Sequence, residues 1–514
     1  MRTTSVCNVC KRLLAAVIVA AGMLLMANPS MAQSPWPGQS GNPVGYAAIG
    51  PLGTSACPSV TSGTSGNPTF IQNCAYSSCP TVSQSHVVFM SVDFNCKSGG
   101  LAVNGTDITF YGSRIQSNDQ QFYALEADGA DIYFIYSSTT PLASFYTSPP
   151  GGAWPSAGAA KNTTSCTSDA YCINGRDGYQ HGILLLTSSA GSIFVDHSAM
   201  WGGGNDGINW LSQTAQMTFT ENWIHDPADA SPNGYHVDGV ACYLNDGVGP
   251  DNLLIQGNTV AGIGNTNGLA CQSATGGYSN LVINQNYFSG FGYTIAFCAP
   301  GSTLCTNSTF ANNTYGTDLM SWWGPVYGST IPSSTFWGCN KIQVTAGTSW
   351  TDGDGWTPGS SDNGKYLLPR NAATGSNFEG STDYLGNTAC AEMDPPALNF
   401  KTQPKSTTSS AQTVTLRNTG SSTLTISSVA LAGGTEFAIT SNGCGASLAA
   451  GASCPITITF TPTAYGPETD TLRIKDSMAS PASPQLVPLI GLGTVSLGTA
   501  PPAVPDPPTG IVVQ

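Results

Sequence analysis

Four of the five histidines of this chain, His181, His197, His225 and His236, fall within 56 residues. Asp177, Asp196, Asp206, Glu221, Asp226, Asp229 and Asp238 crowd the same span. Imidazoles beside carboxylates move protons near neutral pH or hold cations. Two of the acids repeat a local phrase: Asp206 sits in N-D-G-I and Asp238 in V-D-G-V. A glycosidase needs two such carboxylates facing one glycosidic oxygen. On neighbouring strands, pointing outwards, they would stand about 5 Å apart. A polysaccharide lyase instead neutralises a uronate and removes the adjacent proton. Asp196, Glu221 and Asp226 are the candidate Ca²⁺ ligands for that chemistry, and His197, His225 or His236 the candidate base. Three histidines also raise a zinc hydrolase, but no tight spacing such as HExxH is present. Trp201, Trp223, Tyr235 and Tyr243 are candidates to stack on sugar faces. The competing reading is architectural: acids and glycines forming turns, histidines bonded within the stack, tryptophans packed.

The elements that would position these groups repeat. SIFVDHSAM at 192–200 returns as QMTFTENWI at 216–224, NLLIQGNTV at 252–260, NLVINQNYF at 280–288 and STFANNTYG at 308–316. Apolar and polar residues alternate, then a small polar residue follows: Ser198, Asn222, Asn258, Asn286 and Asn313, in steps of 24, 36, 28 and 27 residues. Short strands at this interval mark a solenoid, because each turn buries its apolar face only against its neighbours. The core is expected to hold Ile193, Val195, Met217, Phe219, Leu253, Ile255, Leu281, Ile283 and Phe310. The Asn position falls at a bend, where Asn tolerates a left-handed backbone and can bond its counterpart one turn away. Right-handed crossovers are the default. Earlier coils are read at 86–94, 107–115 and 130–138, with Phe89, Phe110 and Phe134 in step. A second strand per repeat reads DGINW, DGVACY, NGLACQ and YTIAFC. The segment HDPADASPNGYH, 225–236, stretches one step to 36 residues, and loops inserted into solenoids usually line the binding face.

The middle of the chain resembles the pectate-lyase-like parallel β-helix superfamily. V-D-H-S-x-x-W-G followed by D-G is similar to the D-H-C/S-x-x-W segment of bacterial pectate lyases, and TFTENWIH to their next coil. The resemblance implies a right-handed helix, a groove along parallel strands and Ca²⁺ bridging acidic groups to substrate, with Asp196, Glu221 and Asp226 nearest to such ligands. Pectate lyases usually abstract the proton with Arg or Lys, and this sequence has neither from Asp177 through Asn340. A neutral or weakly charged glycan therefore suits the groove better than a polyuronate.

The N-terminal residues read as a secretory signal: a basic segment Arg2 to Arg12, an apolar run Leu13 to Met26, and Ser30-Met31-Ala32 before Gln33. The run is short of the roughly 20 residues that cross a bilayer, and no transmembrane segment is expected after cleavage. Cleavage would leave 12 basic against 29 acidic residues, a net of −17, and 14 of the 16 cysteines. That charge disfavours nucleic acid and anionic membrane. The even cysteine count in an oxidising compartment points to disulfides. Cys166 with Cys172, Cys298 with Cys305, Cys444 with Cys454, and Cys242 across a coil with Cys271 are plausible pairs.

Five regions follow: signal 1–32, disulfide-rich cap 33–84, parallel β-helix 85–390 with a long loop at 139–175, β-sandwich 391–496 and Pro-rich tail 497–514. The sandwich rests on seven short alternating strands, LNF, TVTLRNTG, TLTISSVAL, EFAIT, CPITITFTP, DTLRIKD and LVPLIGLG. NTGSSTLTISSVAL, FAITSNGCG, LAAGASCPITITFTPT and LIGLGT are similar to choice-of-anchor D domains, related to the ASPM/SPD-2/Hydin group, which implies a seven-stranded immunoglobulin-like module without catalysis. The fold class is thus all-β, a right-handed parallel β-helix followed by that sandwich. The expected function is a secreted, monomeric, carbohydrate-active protein, a polysaccharide lyase or glycoside hydrolase acting on an extracellular polysaccharide. The alternative is a non-enzymatic adhesin or glycan-binding surface protein.

Overall fold

The computed structural model describes residues 36–37, 42–96, 100–117, 123–141, 181–185, 191–201, 206–210, 216–225, 238–241, 253–262, 266–271, 278–297, 305–319, 324–327, 334–348, 351, 357–366 and 389–495. Among them the regular structure is strand, apart from two 3-10 turns, Tyr46–Ala48 and Ser360–Asp362. Each coil visits three parallel sheets in turn. Ser192–Asp196 lies in a ten-stranded first sheet, Ala199–Trp201 in an eleven-stranded second and Asp206–Trp210 in a nine-stranded third, and Gln216–Thr220 opens the next coil. This is a parallel β-helix.

One column runs through its core. Phe89, Phe110, Phe134, Val195, Phe219, Ile255, Ile283 and Phe310 stand in register on successive strands of the first sheet. All nine residues expected in the core are buried there. Burying each such side chain contributes roughly 1.5–3 kcal/mol, and the stacking shares that gain between coils that could not fold alone.

The bend between the first and second sheets is closed by a second column. The backbone N–H of Ser198 donates to Asn222 Oδ1 at 2.9 Å, that of Asn222 to Asn258 at 3.0 Å, and the ladder continues through Asn286 and Asn313 to Asn340. The left-handed residue is not the Asn itself, as expected from sequence, but the residue before it: His197 (φ 48°), Glu221 (φ 55°), Gln285 (φ 55°) and Asn312 (φ 54°). The Asn must keep its amide aligned with the column, so the residue ahead of it takes the turn.

The span 33–84 is more regular than a cap. Thr69–Gln72, Cys74–Tyr76 and Thr81–Val82 already supply strands to all three sheets. These strands are too short for alternation to reveal, and Cys57–Cys74 and Cys79–Cys96 disulfides tie them down. Cys444–Cys454 is bonded as expected, and Cys339–Cys390 links a late coil to the start of the sandwich. Cys166, Cys172, Cys242 and Cys298, and most of the long loop at 139–175, lie outside the described residues.

Residues 391–494 form a four-stranded and a five-stranded sheet, packed over Leu416, Ile456, Phe460, Leu472 and Leu489. All seven expected strands are present, with two short additions, Ala391–Asp394 and Ser447–Leu448. The sandwich docks on the outer face of the first solenoid sheet. Ile490 and Leu492 pack against Val88, Tyr111, Ile135 and Phe194. Gln256 Nε2 donates to the carbonyls of Pro396 and Leu486, both at 2.7 Å, and Gln285 exchanges hydrogen bonds with the backbone of Met393. No helix among the described residues is long and apolar enough to cross a membrane.

Candidate functional site

The residues singled out by chemistry separate to different corners of the coil. Asp196, His197 and Glu221 sit at the bend between the first and second sheets. Their position follows from the ladder: His197 and Glu221 are the left-handed residues preceding Ser198 and Asn222. Asp196 is 1% exposed and accepts from Thr220 Oγ1 at 2.5 Å and from Asn399 Nδ2 of the sandwich at 2.6 Å, and lies 2.8 Å from His197 Nδ1. Glu221 accepts from Asn42 Nδ2 at 2.9 Å, and the same N-terminal segment donates Gly45 N–H to the His197 carbonyl.

Electrostatics follow from this enclosure. Burial pushes the Glu221 carboxyl up to about 7, against the opposing His197 charge and Asn42 bond. Burial disfavours the His197 imidazolium, yet the charge and hydrogen bond of Asp196, with Glu221 beyond, hold its pKa above the ordinary value. The Tyr136 ring lies 4.7 Å from the His197 ring. The arrangement is a packed seam where the sandwich and the N-terminal segment meet the solenoid. It does not fit Ca²⁺ held by Asp196, Glu221 and Asp226. The oxygens of Asp196 are engaged by protein partners, Asp226 lies outside the described residues, and no three acidic, His or Cys side chains among the described residues are grouped to hold a metal. His197, offered as a base, lies against Asp196 at this bend and apart from the corner where Asp206 and Asp238 lie.

Asp206 and Asp238 open adjacent strands of the third sheet and are direct register partners. The juxtaposition expected from the repeated D-G phrase is present. Both are buried, 2% and 0% exposed. Asp238 Oδ1 accepts from the backbone N–H of Asn267 at 2.6 Å and from its Nδ2 at 3.0 Å, and Asn209 Nδ2 donates to Asp206 Oδ2 at 2.6 Å. Burial, then the Asp206 charge, raises the pKa of Asp238. The glycine of each phrase has a packing reason. A Cβ on Gly207 would lie 2.5 Å from Ile224 Cγ2, and one on Gly239 2.4 Å from Val260 Cγ1, so only glycine lets the third sheet close on the second.

His225 ends the strand Trp223–His225 of the second sheet, and Asp238 opens the strand Asp238–Ala241 of the third. His225 is the first residue of the inserted sequence 225–236, and residues 226–237 lie outside the described residues. His225 is 6% exposed, with its ring stacked on Trp223 at 3.5 Å. Trp201 is the register partner of His225 on the preceding coil. His236, Tyr235 and Tyr243 lie outside the described residues. Asn209 and Asn267 were not anticipated as partners of the acids. The signal for Asn267 was available, since N-G-L at 267–269 repeats the D-G-I and D-G-V phrases.

Comparison with known proteins bears on the C-terminal part of the chain. No curated protein matches the chain in sequence. Among solved structures, the secreted serine protease VesC from Vibrio cholerae is similar at 16% identity, over 23% of this chain and 26% of that one, with a TM-score of 0.18. VesB protease from Vibrio cholerae is similar at 16% identity over 26% of this chain and 43% of that one, with a TM-score of 0.17. The chain thus spans about a quarter and less than half of these two proteins. The ASH/PapD-like domain 7 of human CEP192 is similar at 16% identity over 25% of this chain and all of that domain, TM-score 0.18. Residues 392–494 match the family model described as Cep192 domain 4, and that region is an immunoglobulin-like sandwich.

Proposed function

We propose that this protein is an extracellular carbohydrate-active β-helix that cleaves a glycan by acid–base chemistry at the Asp206–Asp238 pair. The observation that carries the reading is the register of the two carboxylates on neighbouring strands, with Asp238 biased towards its protonated form. A carboxyl that tends to keep its proton near neutral pH is what a general acid requires. In this reading Asp238 protonates the leaving glycosidic oxygen as the C–O bond breaks, and a water that gives its proton to Asp206 adds to the anomeric carbon. Asn267 and Asn209 hold the two side chains in place. Trp223, on the strand of the second sheet that ends at His225, is the candidate to stack on a sugar. The resemblance of 190–320 to the pectate-lyase-like superfamily supports glycan chemistry. The absence of Lys and Arg from 177–340 favours hydrolysis of a neutral chain over lyase action on a polyuronate. The signal-like N-terminus and the disulfides support secretion.

A second reading has its own observation. Asp238 is 0% exposed, as a rung of the third sheet would be. A non-enzymatic glycan-binding surface protein follows if the pair serves only the fold. A glycan panel with and without Ca²⁺ separates these readings. New reducing ends alone mean hydrolysis; reducing ends with ultraviolet-absorbing unsaturated ends mean a lyase; binding without products favours the adhesin.

A further inference from the structure

A cleft of about 410 Å³ lies between the first solenoid sheet and the sandwich, within the size range of small-ligand sites. Its floor is one outward row of the solenoid. Phe194, Thr218, Leu254, Val282 and Thr309 are register partners on successive coils, spaced about 4.8 Å apart by strand geometry. Thr218, Leu254 and Val282 are only half-buried. The neighbouring row, which includes Asp196 and Gln256, is consumed by docking to the sandwich. The cleft begins where those hydrogen bonds stop.

The opposite wall is the sandwich strand Gly466–Asp476. It starts over the first coils, where Tyr465 N–H donates to the Gly66 carbonyl. Further along, Thr469 and Asp470 line the cleft with first-sheet residues. Successive residues of this strand thus pass over successive coils, and Thr471 and Arg473 line the cleft. Leu472 and Ile474 fill the sandwich core, so alternation turns Thr471 and Arg473 outwards. Arg473 forms no ion pair among the described residues. Since 177–340 carries no Lys or Arg, the sandwich supplies a cation that this part of the solenoid lacks.

We propose that this cleft binds a short oligosaccharide bearing one acidic sugar, its carboxylate held by Arg473 and its rings lying along the Thr218–Leu254–Val282 row. A strip of alternating hydroxyl and apolar groups suits a pyranose, which presents C–H faces and hydroxyl edges. Asn280 and Asn307, stacked on adjacent coils with an Nδ2 to Oδ1 distance of 2.5 Å, add amides at the rim. The same wall carries Asp470, which disfavours a chain charged at every sugar. The inference takes its ligand class from the glycan reading above but uses none of the residues of the carboxylate pair.

Titration calorimetry on the full chain tests it. The probes are a trisaccharide of two neutral hexoses ending in a uronic acid, and the same trisaccharide with its carboxyl reduced to an alcohol. Wild type binds the acidic probe more tightly. Arg473→Gln weakens the acidic probe by about tenfold or more and leaves the reduced probe unchanged. Thr218→Trp, which fills the floor, abolishes both; Thr471→Trp on the opposite wall does the same and stands in should Thr218→Trp fail to fold. No binding of either probe, an acidic-probe affinity in Arg473→Gln equal to that of wild type, or undiminished binding in a folded filling variant would overturn the proposal. Asp238→Asn leaves this binding intact, so loss of cleavage and loss of cleft binding are read separately.

Discussion

Asn399 of the sandwich donates its amide to Oδ2 of Asp196 in the solenoid at 2.6 Å, across 203 residues of sequence. The same oxygen meets His197 Nδ1 at 2.8 Å. A carboxylate that sequence offers as a cation ligand is instead a joint between two domains. Asn399→Ala removes one of its donors and leaves a buried charge less satisfied. The expected cost is about 1–3 kcal/mol, read by denaturant unfolding, and no cost would mean that the joint is loose in solution.

Glu221 gives the joint a pH dependence. Its carboxyl moves from an ordinary 4.5 to about 7 on folding, first through burial. Between these values the folded protein holds a proton that the unfolded chain has released. The contribution of Glu221 is therefore full below about 4.5 and is lost as pH rises towards about 7. Glu221→Gln, compared with wild type by thermal melts over this window, should flatten that part of the profile and gain relative stability at its upper end. Parallel profiles for the two proteins would contradict the burial of this group.

The solenoid makes adjacent residues energetically unequal. Phe219 is a member of the core column, whereas Thr218 faces the cleft. Phe219→Ala should cost about 3–5 kcal/mol and Thr218→Ala no more than about 0.5 kcal/mol. Equal effects in chemical unfolding would place the strand in another register.

The asparagine ladder should be visible to hydrogen exchange. Asn258 Oδ1 accepts from the backbone N–H of Asn222, and Asn258 Nδ2 donates to the Phe219 carbonyl. Asn258→Ala should speed exchange at the Asn222 amide by at least about tenfold, from the loss of one buried hydrogen bond. Unchanged protection there would mean that the rung is held by something else.

These sites also show what the sequence could carry. The core column was legible because alternation and a repeated Asn determine both face and register. Phe219, Ile255 and Ile283 had to align once the Asn positions were superposed. The Asp206–Asp238 pairing was legible for the same reason. The split of the site was not. A coil turns twice between Asp196 and Asp206, so residues close in sequence fall on different corners, and neither bend has a pattern that says which side chains remain exposed. Docking of the sandwich was hidden further, because Gln256, Gln285 and Asn399 are polar residues at outward positions and read as ordinary surface.

The central claim is that the Asp206–Asp238 pair does chemistry, and reducing-end release from the glycan panel by wild type, Asp206→Asn and Asp238→Asn tests it most directly. The account predicts turnover by wild type and a loss of about 10²–10⁴-fold in each variant, with thermal melting showing that both remain folded. Folded variants that release reducing ends at the wild-type rate, or a wild type that binds glycan and releases none, would contradict it.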